Sequence, residues 1–217
     1  MNLLGWAYPV LSRQILGLDN LPKELKSATF NVGAKADAAD DQRLATLSKR
    51  PVRLEQEHMV QALLADRFNL KVHWETRDAA TYNIEVVKHG RLRQTGAPPT
   101  AEEVKAFGDH GVPSIYQKGD SRYGFEYVAH GATIEDLAEI LTEQFGVPVN
   151  DETGLTGKYD FDLKTYQTLD RFRQQDETNP WPPLETAIRD QLGLRIVRSH
   201  GPVKFLVVDH AQMPSPN

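Results

Sequence analysis

The stretches ALLADRFNLKVHWETRDAATYNIEVVKHG (residues 62–90) and AIRDQLGLRIVRSHGPVKFLVVDH (residues 187–210) follow one pattern. Each begins with apolar residues at helical spacing. Two alternating segments follow, separated by turn-forming residues: RDAA in the first stretch and a Gly–Pro pair in the second. This pattern predicts a helix followed by a β-hairpin, once near the middle of the chain and once near its end.

Other segments add to this prediction. The segment TIEDLAEILTEQFG (residues 133–146) has Thr133 as N-cap, Asp136 at the capping-box position and Gly146 as terminator. TFNVGAK (residues 29–35) and YDFDLK (residues 159–164) each predict a short strand. We therefore expect an α+β fold of two similar lobes, each a small, mainly antiparallel sheet with helices on one face.

A degenerate tandem duplication explains the repeated pattern, with lobes at residues 1–118 and 119–217. The alternative is that helix–hairpin motifs recur by accident. Duplication predicts that three apolar positions of the first lobe match three of the second, all of them buried: Leu63, Phe68 and Val72 against Ile188, Leu192 and Ile196. The segment 91–119, rich in glycine and proline, is predicted to be a long connector.

Composition excludes several classes of protein. The net charge of −5 argues against a nucleic-acid-binding face. The absence of cysteine removes disulfides, thiolate nucleophiles and cysteine-ligated zinc. No apolar run approaches the roughly 20 residues of a membrane span, so we expect a chain that is not embedded in a membrane. The first residues lack the basic region and cleavage site of an intact signal peptide.

The common catalytic motifs are missing: G-x-S-x-G, H-E-x-x-H, S-x-x-K and the P-loop. We therefore predict no catalytic residue and no cofactor. A triad assembled by geometry stays open, because triads do not depend on sequence order. Asp209 and His210 are adjacent in a predicted strand, so their side chains point to opposite faces and the pair is not expected to form a dyad.

His73 and Glu75 are candidate binding residues. They lie two apart on a predicted strand, so both side chains share a face. With a histidine from a neighbouring strand they could bind a metal. The alternative, which we favour, is a polar stripe on the solvent face, with Val72 and Trp74 pointing inward.

The segment DETGLTGKYDFD (residues 151–162) is acidic and contains glycine, as calcium loops do, but it lacks their ligand spacing. Calcium binding by Asp151, Asp160 and Asp162 is therefore the weaker alternative. A tight turn fits better, with positive φ at both glycines, Gly154 and Gly157. In that interpretation Tyr159 and Phe161 pack inward, and Asp160 and Asp162 face solvent.

Trp181, in the sequence NPWPP, is the best candidate for an exposed binding aromatic. The flanking prolines are expected to hold it in an extended loop.

Three long blocks, at residues 59–88, 134–163 and 187–217, closely resemble a soil-associated, largely acidobacterial family catalogued as a domain of unknown function. The resemblance implies an exported protein, in some members attached to a membrane-embedded, sensor-type metallopeptidase. It also implies a strand ahead of the first helix, which is missing here by truncation or divergence. A weaker likeness, of fold and interaction style, is to the short N-terminal domains of secretins and TonB-dependent receptors.

These observations predict a non-catalytic binding module of a periplasmic or extracellular protein. We expect a protein, peptide or envelope partner, engaged by strand addition or by homodimerisation at the sheet edge left open by the missing strand. The segment 91–119 could instead cover that edge. The alternative function is a hydrolase with a metal or Ser/His site between the lobes.

Overall fold

The structure is a computed structural model that describes residues 3–30, 49–95, 98–108, 111–119, 124–166 and 181–214, with residues 33, 40, 42 and 44 between them. Its helices are α1 (Leu3–Ala7), α2 (Lys23–Ser27), α3 (Lys49–Phe68), α4 (Ala101–Phe107), α5 (Ile134–Phe145) and α6 (Leu184–Ala187, followed by a π-helical turn at Ile188–Leu192). Its strands are β1 (Ile15–Leu16), β2 (Lys71–Val86), β3 (Arg93–Gln94), β4 (Ile115–Lys118), β5 (Phe125–Ala132), β6 (Val149–Asp151), β7 (Tyr159–Thr165) and β8 (Leu194–His210). Short 3₁₀ turns lie at Ser12–Gln14 and Leu18–Asn20.

The described strands form two four-stranded sheets, β1–β8–β2–β6 and β3–β7–β5–β4, so the predicted α+β class is confirmed. The chain divides into two compact units. Unit 1 comprises residues 1–78 and 202–217, and unit 2 comprises residues 79–201. The predicted division into residues 1–118 and 119–217 stays a prediction about repeats along the sequence, and the duplication is not confirmed.

The two predicted hairpins are wrong. Residues 71–86 form one continuous strand, and residues 194–210 form another. The two strands are neighbours in one sheet, and the RDAA and Gly–Pro segments lie inside them as extended backbone. An alternating sequence is the same in a hairpin and in a long strand, so the turn residues misled the prediction, and cross-strand pairing overrides their preference. The compact units divide within these former turns, at residues 78/79 and 201/202.

Unit 1 is built on helix α3, which ends because Asn69 adopts a positive φ of 47°. The Leu70 N–H then donates to the Leu64 carbonyl at 3.3 Å. Within α3, the Gln61 side chain donates to the Ala7 carbonyl of α1 at 2.7 Å. Strand β1 of this unit pairs in parallel with β8, so that Ile15 lies opposite Leu206.

Unit 2 contains one large core cluster under the sheet β3–β7–β5–β4, built from helices α5 and α6 and strands of both sheets. Strands β7, β5 and β4 pair antiparallel, while β6 pairs in parallel with β2 over Tyr82–Ile84. Helix α5 is bounded as predicted. Thr133 Oγ1 accepts from the Asp136 N–H at 3.1 Å, Asp136 accepts from the Thr133 N–H at 2.8 Å, and Gly146 has a φ of 59°.

The prediction of six buried equivalent positions is partly wrong. Ile188 and Leu192 are buried, but the other four side chains are half-buried: Leu63, Phe68, Val72 and Ile196. The segment 91–119 is also more than a connector, because it contributes β3, α4 and β4 to unit 2. The predicted strand at residues 29–35 lies mostly outside the described residues, and Thr29 and Phe30 have no regular structure.

Candidate functional site

The candidate site is the edge of strand β2 in unit 1, here called the β2 edge and defined as the side of residues 71–77 that faces away from β8. On the other side of these residues runs β8, which in turn pairs with β1. In the described part of the chain, no strand pairs with the β2 edge, because β6 meets β2 only from Tyr82 to Ile84. The edge therefore presents a row of backbone N–H and C=O groups without a strand partner there.

Two cross-strand contacts fix how β2 and β8 run in unit 1. His73 Nδ1 lies 2.8 Å and 3.0 Å from the two carboxylate oxygens of Asp209. The Arg77 guanidinium lies over the Phe205 ring, 5.7 Å from its centroid. Because the partner number falls as the β2 number rises, the two strands are antiparallel. Their alternate N–H groups therefore point toward β8 and toward the β2 edge.

The face that carries His73 is polar. Glu75 accepts a hydrogen bond from Arg77 at 2.8 Å, and this bond lowers the pKa of the Glu75 carboxyl group. The side chains of His73 and Asp209 are about half exposed, at 54% and 46%. The structure thus places the two predicted residues, His73 and Glu75, in an exposed stripe with Arg77 and Asp209.

The opposite face carries Trp74, whose side chain was expected to point inward. Half of this residue is exposed, at 50%, and its ring meets Tyr8 edge-on with centroids 6.4 Å apart. Partial burial raises the pKa of the Tyr8 hydroxyl. The β2 edge therefore lies between a polar face and an aromatic one.

Asp209 pairs with a histidine that is distant in the sequence. Its side chain contacts His73 across the sheet, 136 positions away, rather than the adjacent His210. A carboxylate beside an imidazole can fix the tautomer and orientation of the ring. Only the pairing of β2 with β8 brings the two groups together, and local sequence carries no signal for that pairing.

The other predicted residues lie apart from this surface, in unit 2. Trp181 is half-buried, and a side-chain carbon on Gly124 would meet its ring at 2.5 Å. Asp151 accepts from the Thr153 N–H and hydroxyl at 2.8 Å and 2.6 Å, as in an Asx turn. Asp160 is half-buried and accepts from the Gly131 N–H at 2.7 Å, so its expected solvent-facing position is wrong.

The Asp151–Asp162 turn is also formed differently at its second glycine. Gly154 has the expected positive φ of 66°. Gly157 does not have a positive φ, and is needed for space instead, because a side-chain carbon there would lie 2.3 Å from Gln94 Nε2. Among the described residues, no group of three or more histidine, aspartate or glutamate side chains could hold a metal ion.

A partly buried polar cluster in unit 2 was not predicted from the sequence. The Glu103 carboxylate accepts hydrogen bonds from the Tyr116 hydroxyl, from His130 Nε2 at 2.9 Å and from the Thr100 N–H and hydroxyl, both at 2.8 Å. These hydrogen bonds hold the pKa of the Glu103 carboxyl group far below its usual range, and the bond from Tyr116 has the largest effect. The sequence contains a local sign of this cluster, because T-A-E-E at residues 100–103 is a capping box that joins Thr100 to Glu103.

This cluster fastens α4 to the sheet. Its carboxylate already accepts four hydrogen bonds, which favour the ionised form and leave little capacity for a proton. Burial, and secondarily the bond to Glu103, raises the pKa of the Tyr116 hydroxyl, so the phenol stays protonated as a donor. The cluster, called the Glu103 clamp below, therefore has a structural role: it holds α4 against the sheet.

The fold and this surface define an α+β protein whose first unit has a strand edge that no other described strand pairs with. The chain belongs to the family described as Protein of unknown function (DUF3738), whose model matches residues 1–211. No curated protein and no solved structure gives a significant match. In the described residues, no helix combines the length and the apolarity needed to cross a membrane.

Proposed function

We propose that this chain is a non-catalytic binding module that takes up an extended segment of a partner polypeptide at the β2 edge. The observation that carries the proposal is the edge itself, which lacks a strand partner in the described part of the chain. An added strand would pair with the N–H and C=O groups of residues 71–77 that face the β2 edge through main-chain hydrogen bonds, which supply affinity independent of sequence.

Specificity would come from the two faces beside the edge. Successive side chains of an added strand point to alternate faces. One set would lie beside the charged stripe of His73, Glu75 and Arg77, and the other beside Trp74. A half-exposed tryptophan packed on a second aromatic ring is well suited to be an interface anchor, because large aromatic side chains dominate binding energy at such sites.

A second copy of the chain is the other polypeptide that could pair at this edge. Two β2 edges related by a twofold axis would form an antiparallel pair, which makes the homodimer the competing occupant. Sedimentation velocity of the chain alone separates the cases. A concentration-dependent dimer indicates self-pairing, and a monomer leaves the edge open for a partner.

We also propose that the protein is exported to the periplasm or cell surface, where its partner would be an envelope protein or peptide. The family resemblance of the three sequence blocks supports this part of the proposal. Cell fractionation of the full-length gene product tests it: the protein should be recovered outside the cytoplasm, and recovery inside it would contradict export.

Neighbouring prolines in β2 test the binding site. Of the adjacent residues Thr76 and Arg77, one N–H points to β8 and the other to the β2 edge. Proline removes an N–H, so one variant, Thr76→Pro or Arg77→Pro, should lose stability while the other stays folded. Linear ten-residue peptides selected from a display library on the unaltered chain should bind the folded variant at least tenfold more weakly.

Alanine variants provide the matched controls. Thr76→Ala and Arg77→Ala remove the same side chains and keep both N–H groups, so they should retain most of the peptide affinity. Equal peptide affinity in the folded proline variant and its alanine control would contradict strand addition.

A further inference from the structure

Unit 2 contains an open cleft of about 220 Å³ that plays no part in the proposed binding at the β2 edge. All of its lining residues are described, and all belong to unit 2. The lining combines five apolar side chains with four polar ones and one glycine.

The apolar floor of the cleft is preformed. Leu192 and Leu194 are 2% and 1% exposed and belong to the core cluster, against which Val86, Leu92 and Leu155 also pack. Side chains held in a packed core keep their rotamers, so a ligand would meet a fixed surface. A preformed apolar surface favours binding, since little ordering has to accompany it.

Gly193 fixes the backbone at the rim of the cleft, where the basic side chains of Lys88 and His89 lie. Its φ is 72°, and a side-chain carbon at this position would lie 2.3 Å from the Lys88 carbonyl oxygen. The close approach lets the N–H groups of Val87 and Lys88 donate to the Gly193 carbonyl at 2.9 Å and 3.0 Å. The backbone at Lys88, next to His89, is thereby tied to the floor residues Leu192 and Leu194.

A second glycine brings two more polar groups to the cleft. Gln94 on β3 pairs with Tyr159 on β7. A side-chain carbon on Gly157 would lie 2.3 Å from Gln94 Nε2 and 2.9 Å from the Tyr159 hydroxyl. Because Gly157 has no such carbon, the amide and the phenol can both lie against the backbone there.

The lining of the cleft has basic side chains and no acidic ones. It contains Lys88, His89 and the donors of Gln94 and Tyr159, but no aspartate or glutamate, although the chain as a whole has a net charge of −5. The nearby Arg91 side chain, which packs over Gly193, adds a further cation. Asp190, in the turn before Gly193, is paired with Arg189 at 2.9 Å, and the charge of Arg91 contributes further to lowering the pKa of this carboxyl group. Donors and cations above an apolar floor suit a ligand with an acceptor-rich anionic head.

We propose that this cleft binds a small monocarboxylate with an apolar tail, its carboxylate at Lys88 and His89 and its tail on the leucine and valine floor. The volume is below the roughly 300–1,000 Å³ of sites for drug-sized ligands and cofactors, which restricts the ligand to short tails. Each further CH₂ that enters the cleft should tighten Kd by about fourfold.

Three eight-carbon probes separate the contributions of head and tail. In isothermal titration calorimetry with the full chain, octanoate should bind, octanol should bind about tenfold more weakly, and octylamine should not bind detectably. Lys88→Gln should weaken octanoate about tenfold and leave octanol unchanged. Lys105→Gln, on the exposed side of α4, removes the same charge away from the cleft and should change neither.

A blocking variant assigns the site. Leu155 is half-buried, so Leu155→Trp should fill the cleft without disrupting the core and should abolish octanoate binding, while circular dichroism shows an unchanged fold. Octanol as tight as octanoate would overturn the anionic head group. Octanoate binding that survives Leu155→Trp would overturn the location, and no binding of any probe would overturn the proposal as a whole. Peptide binding at the β2 edge is measured separately, so the two proposals fail independently.

Discussion

His73 and Asp209 form a hydrogen-bonded pair across two neighbouring strands, with His73 Nδ1 2.8 Å from Asp209 Oδ2, although 136 positions separate them in the chain. The pair joins a residue of the first repeated stretch to one of the second. The two stretches therefore build one sheet together, where the sequence predicted two separate hairpins.

The energy of this pair should be small, because both side chains are about half exposed. A double-mutant cycle with His73→Gln and Asp209→Asn should give a coupling of about 0.2–1 kcal/mol in the free energy of unfolding. The coupling should shrink in 1 M salt, which screens exposed charges. A coupling above about 2 kcal/mol, unchanged by salt, would mean that the pair is shielded from solvent.

The Glu103 clamp should make stability depend on acid. The pKa of Glu103 is lowered in the folded state, so its contribution is present above the ordinary carboxyl pKa of 4.5 and is lost as pH falls below that value toward the folded pKa. Thermal unfolding between pH 5 and pH 2 should therefore show a smaller loss of Tm in Glu103→Gln than in the unaltered chain. Glu102→Gln, on the exposed side of the same helix, is the matched control and should retain the full slope.

Gly193→Ala should destabilise the chain by about 2 kcal/mol or more. The substitution combines a positive φ with a carbon 2.3 Å from a backbone oxygen. Gly201→Ala, in the strand that follows Gly193, is its control, because nothing lies within 4 Å of the new carbon there, and it should change stability by less than about 0.5 kcal/mol. Urea unfolding measures both, and equal costs would show that the Gly193 turn relaxes freely.

Strand β7 should show a graded response to truncation. Leu163 is 1% exposed, so Leu163→Ala should cost about 2–5 kcal/mol. Phe161 is only half-buried, so Phe161→Ala should cost less, about 1–3 kcal/mol. If chemical unfolding ranks the two variants in the reverse order, the assigned packing of this strand is wrong.

Asp160 should act through its hydrogen bond to Gly131. Asp160→Asn keeps an oxygen acceptor and should be nearly neutral. Asp160→Ala leaves the half-buried Gly131 N–H without that partner and should cost about 1–3 kcal/mol. A calcium-dependent rise in Tm that Asp160→Asn abolishes would instead support the weaker interpretation, an ion-binding loop.

Local signals in the sequence predicted local structure well. Thr133, Asp136 and Gly146 marked the ends of α5 because caps are satisfied within a few residues. The path of β2 and β8 could not be predicted in this way. Their alternation fits both a hairpin and a long strand, and the choice depends on a partner strand more than a hundred residues away.

The candidate sites also differ in whether local sequence or the pairing of distant segments determines them. The stripe of His73 and Glu75 followed from their spacing, because side chains two apart on a strand share a face. The contact of His73 with Asp209, the clamp at Glu103 and the cleft above Leu192 all depend on pairing between distant segments. Trp181 was expected to be exposed, but it packs over Gly124, a contact made across more than fifty residues.

Amide hydrogen exchange of residues 71–77 tests strand addition at the β2 edge most directly. In the free chain, alternate amides should exchange quickly, because every second N–H points away from β8, and a selected peptide should protect that fast set. Uniform slow exchange in the free chain, or peptide-induced protection confined to other residues, would contradict binding at this edge.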